Sequence, residues 1–141
     1  WLSQFCTSKK KKKGLGIGKG ICVTSPNKKN YSYTPYIFNP NLINANAENY
    51  MPNFKADVIL IDAPCSATGT IRKNPDIFLK PAPNNLDDLI LIQDNILKNA
   101  ANILNNNGLI MYITCSLQKI EGERRIEKFL LEQSTYKNCH K

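Results

Sequence analysis

Two short runs of apolar residues, each bounded by polar ones, predict buried strands. The first run is residues 56–62 and the second is residues 108–114. Continuous apolar runs of this length are typical of strands that are buried on both faces of a parallel sheet. Leu42-Ile43 is consistent with one further short strand.

The segments that follow these runs have the periodicity of helices. Apolar residues recur at helical spacing over 87–104 and again over 120–132. Asn85 suits the N-cap of the first helix, and the run Asn105–Gly108 is a stop signal for it. The order strand, helix, strand, helix predicts an α/β fold, whose ligands bind at the carboxyl ends of the strands.

Charge divides the chain into two parts. The net charge is +8, but residues 1–30 hold eight lysines and no acidic residue, so residues 31–141 are neutral overall. The basic balance therefore belongs to the first segment, and the net charge gives no argument for a basic binding face on the rest of the chain. For Lys9–Lys13 two interpretations stay open: a tract of A/T-rich codons, which we favour, or a functional tail that binds RNA phosphates. We interpret residues 1–40 as a basic, irregular or disordered segment.

The cysteine and histidine content excludes several classes of site. Five cysteines form no CxxC pair, and the only histidine is His140. A zinc ribbon, a disulfide framework and a histidine-based triad are therefore not expected, and we predict no metal site. No apolar stretch is long enough for a membrane span and no signal peptide opens the chain, so we expect a cytoplasmic protein without a membrane partner.

Each predicted strand is followed directly by a cysteine in a polar setting. Pro64-Cys65-Ser66 follows the first run, and Thr114-Cys115-Ser116 follows the second. Cysteine is often a core residue, but these polar flanks favour exposed turns. Two thiols at one sheet edge, with Asp62 beside them, suit covalent catalysis without histidine.

These segments closely resemble two motifs of the RsmB/Sun (Nop/Sun-type) RNA cytosine-5 methyltransferases. Residues 57–77 resemble motif IV of that family, and residues 108–117 resemble motif VI. Glu121-Gly122-Glu123 is similar to the family's Glu-Asn-Glu. The resemblance covers about residues 42–132 and is strongest to the bacterial 16S rRNA enzymes.

The resemblance implies an incomplete Rossmann-like, S-adenosylmethionine-dependent methyltransferase fold, with residues 41–141 as a partial catalytic domain. It implies that Cys115 is the nucleophile that attacks carbon 6 of cytosine and that Cys65 helps the product to leave. Asp62 corresponds to a residue at the boundary of cofactor and base, and Asn46 takes the place of an acidic cofactor contact. The expected substrate is RNA, contacted by three residues: Pro64, Arg72 and Lys73.

The chemistry of the reaction agrees with this assignment. Addition of a thiolate at carbon 6 makes carbon 5 nucleophilic enough to accept a methyl group. The step needs a thiolate, so we expect a site that lowers the pKa of the cysteine. The target base must also be unstacked to enter the pocket.

The chain departs from the family in its cofactor half. The first strands, the glycine-rich cofactor loop and the acid that binds the ribose are missing. We therefore expect a fragment that is inactive by itself. We further expect that residues 1–30 result from a frameshift in the gene and are not part of the methyltransferase sequence. The alternatives are a non-catalytic RNA-binding remnant that uses the basic segment, and a thiol-dependent hydrolase or redox protein. The lack of an internal histidine argues against the hydrolase, and the lack of a CxxC pair argues against the redox protein.

Overall fold

The computed structural model describes residues 2–7, 22–24, 42–79 and 85–139, and for 2–7 and 22–24 the description is of the backbone. The lysine cluster Lys9–Lys13 lies outside these residues. Within them, neither helix has the length and apolar character that a membrane span requires. The elements in chain order are β1 (Leu2–Thr7), β2 (Cys22–Thr24), β3 (Leu42–Asn44), β4 (Ala56–Asp62), α1 (Leu86–Ile103), β5 (Leu104–Ile113), α2 (Glu123–Glu132) and β6 (Tyr136–Asn138).

The centre of the fold is the predicted β4–α1–β5 unit. β4 and β5 are parallel neighbours, as expected, and their register aligns Asp62 with Ile113 at the carboxyl ends. The full sheet has the order β4-β5-β1-β6, in which β1 is antiparallel to both of its neighbours. β2 and β3 form a separate parallel pair. β1 and β2 lie in the segment that we interpreted as irregular, so the sequence analysis missed them.

The hydrophobic core lies between one face of the sheet and the two helices. Ile61, Ile110 and Tyr112 of the sheet pack with residues of α1 and α2, among them Leu97 and Phe129. Burial of this apolar surface is the main stabilising contribution to the fold.

The opposite face of the sheet is less covered than the sequence predicts. Val58 and Leu60 are 53% and 58% exposed. Both point away from the core, because alternate residues of a strand face opposite sides. The expectation that β4 is buried on both faces is therefore wrong within the described part of the chain.

The predicted stop signal after α1 is a β-bulge. α1 passes directly into β5 at Leu104, and the register with β4 shifts between Ala56 and Val58. In the bulge Asn107 has a positive φ of 68°. A Cβ atom on Gly108 would lie 2.6 Å from Leu104 Cγ and 2.9 Å from the Asp57 carbonyl oxygen. Glycine is thus needed here for close approach of two backbones rather than as a helix cap.

The second helix begins three residues later than predicted. Lys119–Glu121 forms a 3₁₀ turn, and α2 follows it at Glu123. This turn directs the Glu121 side chain into the interior, where it is fully buried. The predicted apolar stripe of α2 is otherwise present, with Ile126 and Phe129 buried.

Candidate active site

The ends of β4 and β5 bring two free thiols into contact. The ladder between the strands continues one step past Asp62, where the Ala63 amide donates to the Ile113 carbonyl at 2.9 Å. Beyond it the Sγ atoms of Cys65 and Cys115 are 3.2 Å apart. Cys115 is exposed, Cys65 is partly buried, and both are unoxidised. Cys139, by contrast, is disulfide-bonded, which the sequence analysis does not predict.

A close backbone approach fixes the loop after Cys65 against Cys115. The Gly69 amide donates to the Cys115 carbonyl at 2.9 Å, and a Cβ atom on Gly69 would lie 2.5 Å from that oxygen. The Thr68 hydroxyl accepts from the Leu117 amide at 2.9 Å. Ala67 provides the sharp turn with a positive φ of 56°. The two cysteine loops are therefore one hydrogen-bonded unit.

Glu121 is a buried carboxylate that lies behind both cysteines. Its Oε1 accepts from the Ser66 amide at 2.8 Å and from the Gln93 side-chain amide at 3.2 Å. Its Oε2 accepts from the hydroxyls of Ser66 and Ser116. Gln93 also donates to the Pro64 carbonyl at 2.8 Å. In the sequence Glu121 stands out only as part of a family motif, and this polar network is not predicted from it.

The surroundings of Cys115 favour its neutral thiol. Burial raises the pKa of Cys115 from its ordinary value of 9.0 to about 11, and the hydrogen bond and charge of Cys65 and the charge of Asp62 act in the same direction. The lowered cysteine pKa expected from the sequence is therefore wrong for the protein by itself. The physical reason is first that burial disfavours the charged thiolate, and second that the neighbouring groups are acids, which disfavour a further negative charge.

The two residues predicted to bind the cofactor lie in different places. Asp62 is exposed at the end of β4, and its carboxylate accepts no hydrogen bond within the described ranges. Asn46 lies in the turn after β3, where its Oδ1 accepts from the Glu48 amide at 3.0 Å. Glu48 in turn accepts from Asn95 of α1 at 2.8 Å. No hydrogen bond joins Asn46 to Asp62 in this part of the structure.

The three residues predicted to contact RNA are exposed. Pro64 lies between Asp62 and Cys65, next to the thiols. Arg72 and Lys73 lie in the turn that follows the 3₁₀ segment Thr68–Thr70. The side chains of these two residues form no ion pair within the described residues, so their charges are available to an anionic partner.

Comparison with known proteins relates the whole of this region to one family. The family model of the 16S rRNA methyltransferase RsmB/F matches residues 39–141. The ribosomal RNA small subunit methyltransferase B of Xanthomonas campestris pv. campestris is 42% identical over 74 residues, which are 52% of this chain and 17% of that protein. A tRNA (cytosine(34)-C(5))-methyltransferase of Drosophila melanogaster is 40% identical over 91 residues, 64% of this chain and 12% of that protein.

A solved structure agrees with this relationship. The crystal structure of PH0851 matches with a TM-score of 0.52 and 36% identity, over 55% of this chain and 18% of that one. The chain thus spans less than a fifth of the length of these relatives. The matched segment contains β4, β5 and both cysteine loops.

Proposed function

Since the chain belongs to the 16S rRNA methyltransferase RsmB/F family, we propose that it carries the thiol part of the active site of an RNA cytosine-5 methyltransferase. The observation that carries the proposal is the contact of two free thiols, 3.2 Å apart, at the carboxyl ends of a parallel pair of strands. In α/β sheets this edge is where ligands bind. The substrate that we propose is RNA, and more narrowly 16S rRNA.

In this proposal Cys115 is the nucleophile. Its Sγ, after losing its proton to solvent, would bond to carbon 6 of cytosine, and the carbon 5–carbon 6 pair would move into the ring and make carbon 5 nucleophilic. Carbon 5 would then bond to the methyl group as that group's bond to its donor breaks. Loss of the carbon 5 proton to solvent would restore the double bond and expel the thiolate. Cys115 suits this role because it is the more exposed of the two thiols. Because its pKa is raised to about 11, the thiol must lose its proton as the base binds.

We propose that Cys65 acts on the same covalent adduct through the sulfur atom of Cys115. Its Sγ is in contact with that of Cys115 and is more buried. A second thiol at this distance can exchange a proton with the first as the bond to carbon 6 forms and breaks. We therefore assign Cys65 to release of the product.

S-adenosylmethionine is the cofactor that the family implies, and it supplies the methyl group when bound. The described residues fit it in part. The Asp62 carboxylate is exposed and accepts no hydrogen bond in the described ranges, so it is free to bind a cofactor or to hold the ring nitrogen of the base. Asn46 is exposed but engaged with Glu48, so we assign it only a supporting contact.

RNA would reach the thiols past Pro64, Arg72 and Lys73. The two cations suit phosphate oxygens, whose contacts position a nucleic acid without reading its sequence. The exposed proline ring lies directly before Cys65 and offers an apolar surface to the unstacked base. These roles follow from position and chemistry.

The test is covalent trapping in a full-length context. Residues 42–139 replace the matching segment of the Xanthomonas campestris relative, and the chimera is incubated with S-adenosylmethionine and 16S rRNA that contains 5-azacytosine. This base has no proton to lose at position 5, so the enzyme remains bonded to it. We expect a covalent adduct on a denaturing gel, absent in Cys115→Ala and retained in Cys65→Ala. An adduct lost in Cys65→Ala but kept in Cys115→Ala would reverse the two roles, and no adduct in any variant would refute the function.

A further inference from the structure

The described part of the chain holds one buried acidic side chain that the proposed reaction does not use. Glu121 is fully buried, and its carboxylate accepts four hydrogen bonds. A buried charge is retained only where such bonds replace its water. This concentration of polar contacts next to a reactive pair needs an explanation beyond packing.

The donors to Glu121 come from both cysteine loops. Ser66 follows Cys65 directly and donates through its amide and its hydroxyl. Ser116 follows Cys115 directly and donates through its hydroxyl. The carboxylate therefore bridges the two residues that come immediately after the two thiols.

The sheet itself does not fix the thiols relative to each other. The paired residues of β4 and β5 end at Asp62 and Ile113, and both cysteines lie beyond that point. The loops are joined there by the Gly69 amide, by the Thr68 hydroxyl, which contacts the Leu117 amide and the Ser116 hydroxyl, and by the Ser66 and Ser116 hydroxyls, which lie 3.1 Å apart. Glu121 accepts from both of these serine hydroxyls and so orients the pair that comes directly after the two cysteines.

We propose that Glu121 is a positioning residue that holds Cys65 and Cys115 in contact. Gln93 completes the arrangement, because it donates to Glu121 and also to the carbonyl of Pro64, the residue before Cys65. The use of this contact in catalysis rests on the proposed function. The contact itself is a property of the protein without substrate, so it can be measured separately.

Phenylarsine oxide is a probe for thiols in contact. It condenses with two thiols, forms two arsenic–sulfur bonds and releases one water, so no oxidant is needed. Its affinity for the full chain is measured by titration, and peptide mapping by mass spectrometry identifies the bridged cysteines. Cys65→Ala defines the affinity for a single thiol at this site.

We expect Glu121→Ala to weaken the bridging of Cys65 and Cys115 by at least tenfold. Glu121→Gln retains one acceptor oxygen, so the expected loss is smaller but still threefold or more. Glu123→Gln changes an exposed glutamate two residues away and should stay within twofold of the unsubstituted chain. Ile126→Val loosens the core without touching the hydrogen bonds of Glu121. It should lower the thermal stability and leave the affinity for phenylarsine oxide unchanged.

A loss of less than threefold in Glu121→Ala would overturn the proposal. If that variant does not fold, Glu121→Gln is judged by the same threshold. An equal loss in Ile126→Val would also overturn it, because general destabilisation would then explain the effect. An unsubstituted chain that binds no better than Cys65→Ala would show that the thiols are apart. None of these outcomes depends on methyl transfer, so the trapping experiment decides the function separately.

Discussion

The proton on Cys115 controls its reactivity. Burial, Cys65 and Asp62 all raise the pKa of this thiol, in that order of importance. An exposed, uncharged thiol next to a second thiol is protected from unspecific alkylation, because the thiolate is the reactive form. Full reactivity therefore requires removal of this proton.

The raised pKa predicts the pH dependence of alkylation. The rate of reaction of Cys115 with iodoacetamide should rise about tenfold per pH unit from pH 7, without levelling off near 9, because the pKa of the thiol is about 11. Cys65→Ala removes the second-largest cause, so it should speed alkylation at pH 8. Asp62→Asn should also speed the alkylation of Cys115, but by a smaller factor. Peptide mapping by mass spectrometry gives the rate at each cysteine, and a plateau below pH 9 in the unsubstituted chain would contradict the prediction.

For individual residues, the sequence indicated the position of the exposed thiols better than that of the buried carboxylate. The cysteines stand out because polar residues follow apolar runs. Glu121 gives no such signal, since a glutamate at the start of an amphipathic helix normally faces water. Gln93 did carry one: it lies four residues after Leu89 and four before Leu97, on the apolar stripe of α1. A polar residue on a buried stripe indicates a partner in the interior.

Among the elements, β4, α1 and β5 were predictable because each has a clear apolar period. The boundaries of these elements were harder to predict where tertiary contacts determine them. β5 begins four residues before the predicted position because the bulge lets Leu104 pair with Ala56. α2 begins late because the 3₁₀ turn before it is held by Glu121, whose backbone carbonyl accepts from the Tyr112 hydroxyl at 3.0 Å.

The bulge makes Gly108 sensitive to substitution. Gly108→Ala should destabilise the protein by about 1–3 kcal/mol, since an added methyl group would overlap the Leu104 side chain and approach the Asp57 carbonyl. The free energy of unfolding from urea titration measures this. Asn106→Ala, in the same bulge but exposed, serves as the control and should stay within about 0.5 kcal/mol. Equal stability of the two variants would show that the backbones are not in close approach.

At the scale of the whole molecule, β1 links β6 to the rest of the four-stranded sheet. β1 lies between β5 and β6 and pairs with both. The sequence did not predict this arrangement, because pairing of distant strands leaves no local pattern in the strand itself. The α/β class and the parallel pair could be predicted, whereas the antiparallel extension could not.

Removal of residues 1–7 should release β6 from the sheet. Amide hydrogen exchange at residues 137–138 should then become at least tenfold faster, because β6 pairs with β1. Amides of residues 126–129 in α2 serve as the internal control and should keep their protection. Unchanged exchange at residues 137–138 would mean that contacts other than β1 hold β6, among them those of Tyr136 with Phe129 of α2 and with the Ala101 carbonyl of α1.

The position of β1 also prescribes an order of assembly. β4 and β5 are joined through α1 over about 50 residues, but Leu2 must find Ile113 from the other end of the chain. Doubling the length of a closed loop costs only about 0.6 kcal/mol, roughly a threefold slower search. The distance therefore delays β1 without preventing its arrival. Since β6 pairs with β1 and has no pairing with β5, it can enter the sheet only together with β1 or after it, so the strand nearest the start of this chain decides when the strand nearest its end is ordered.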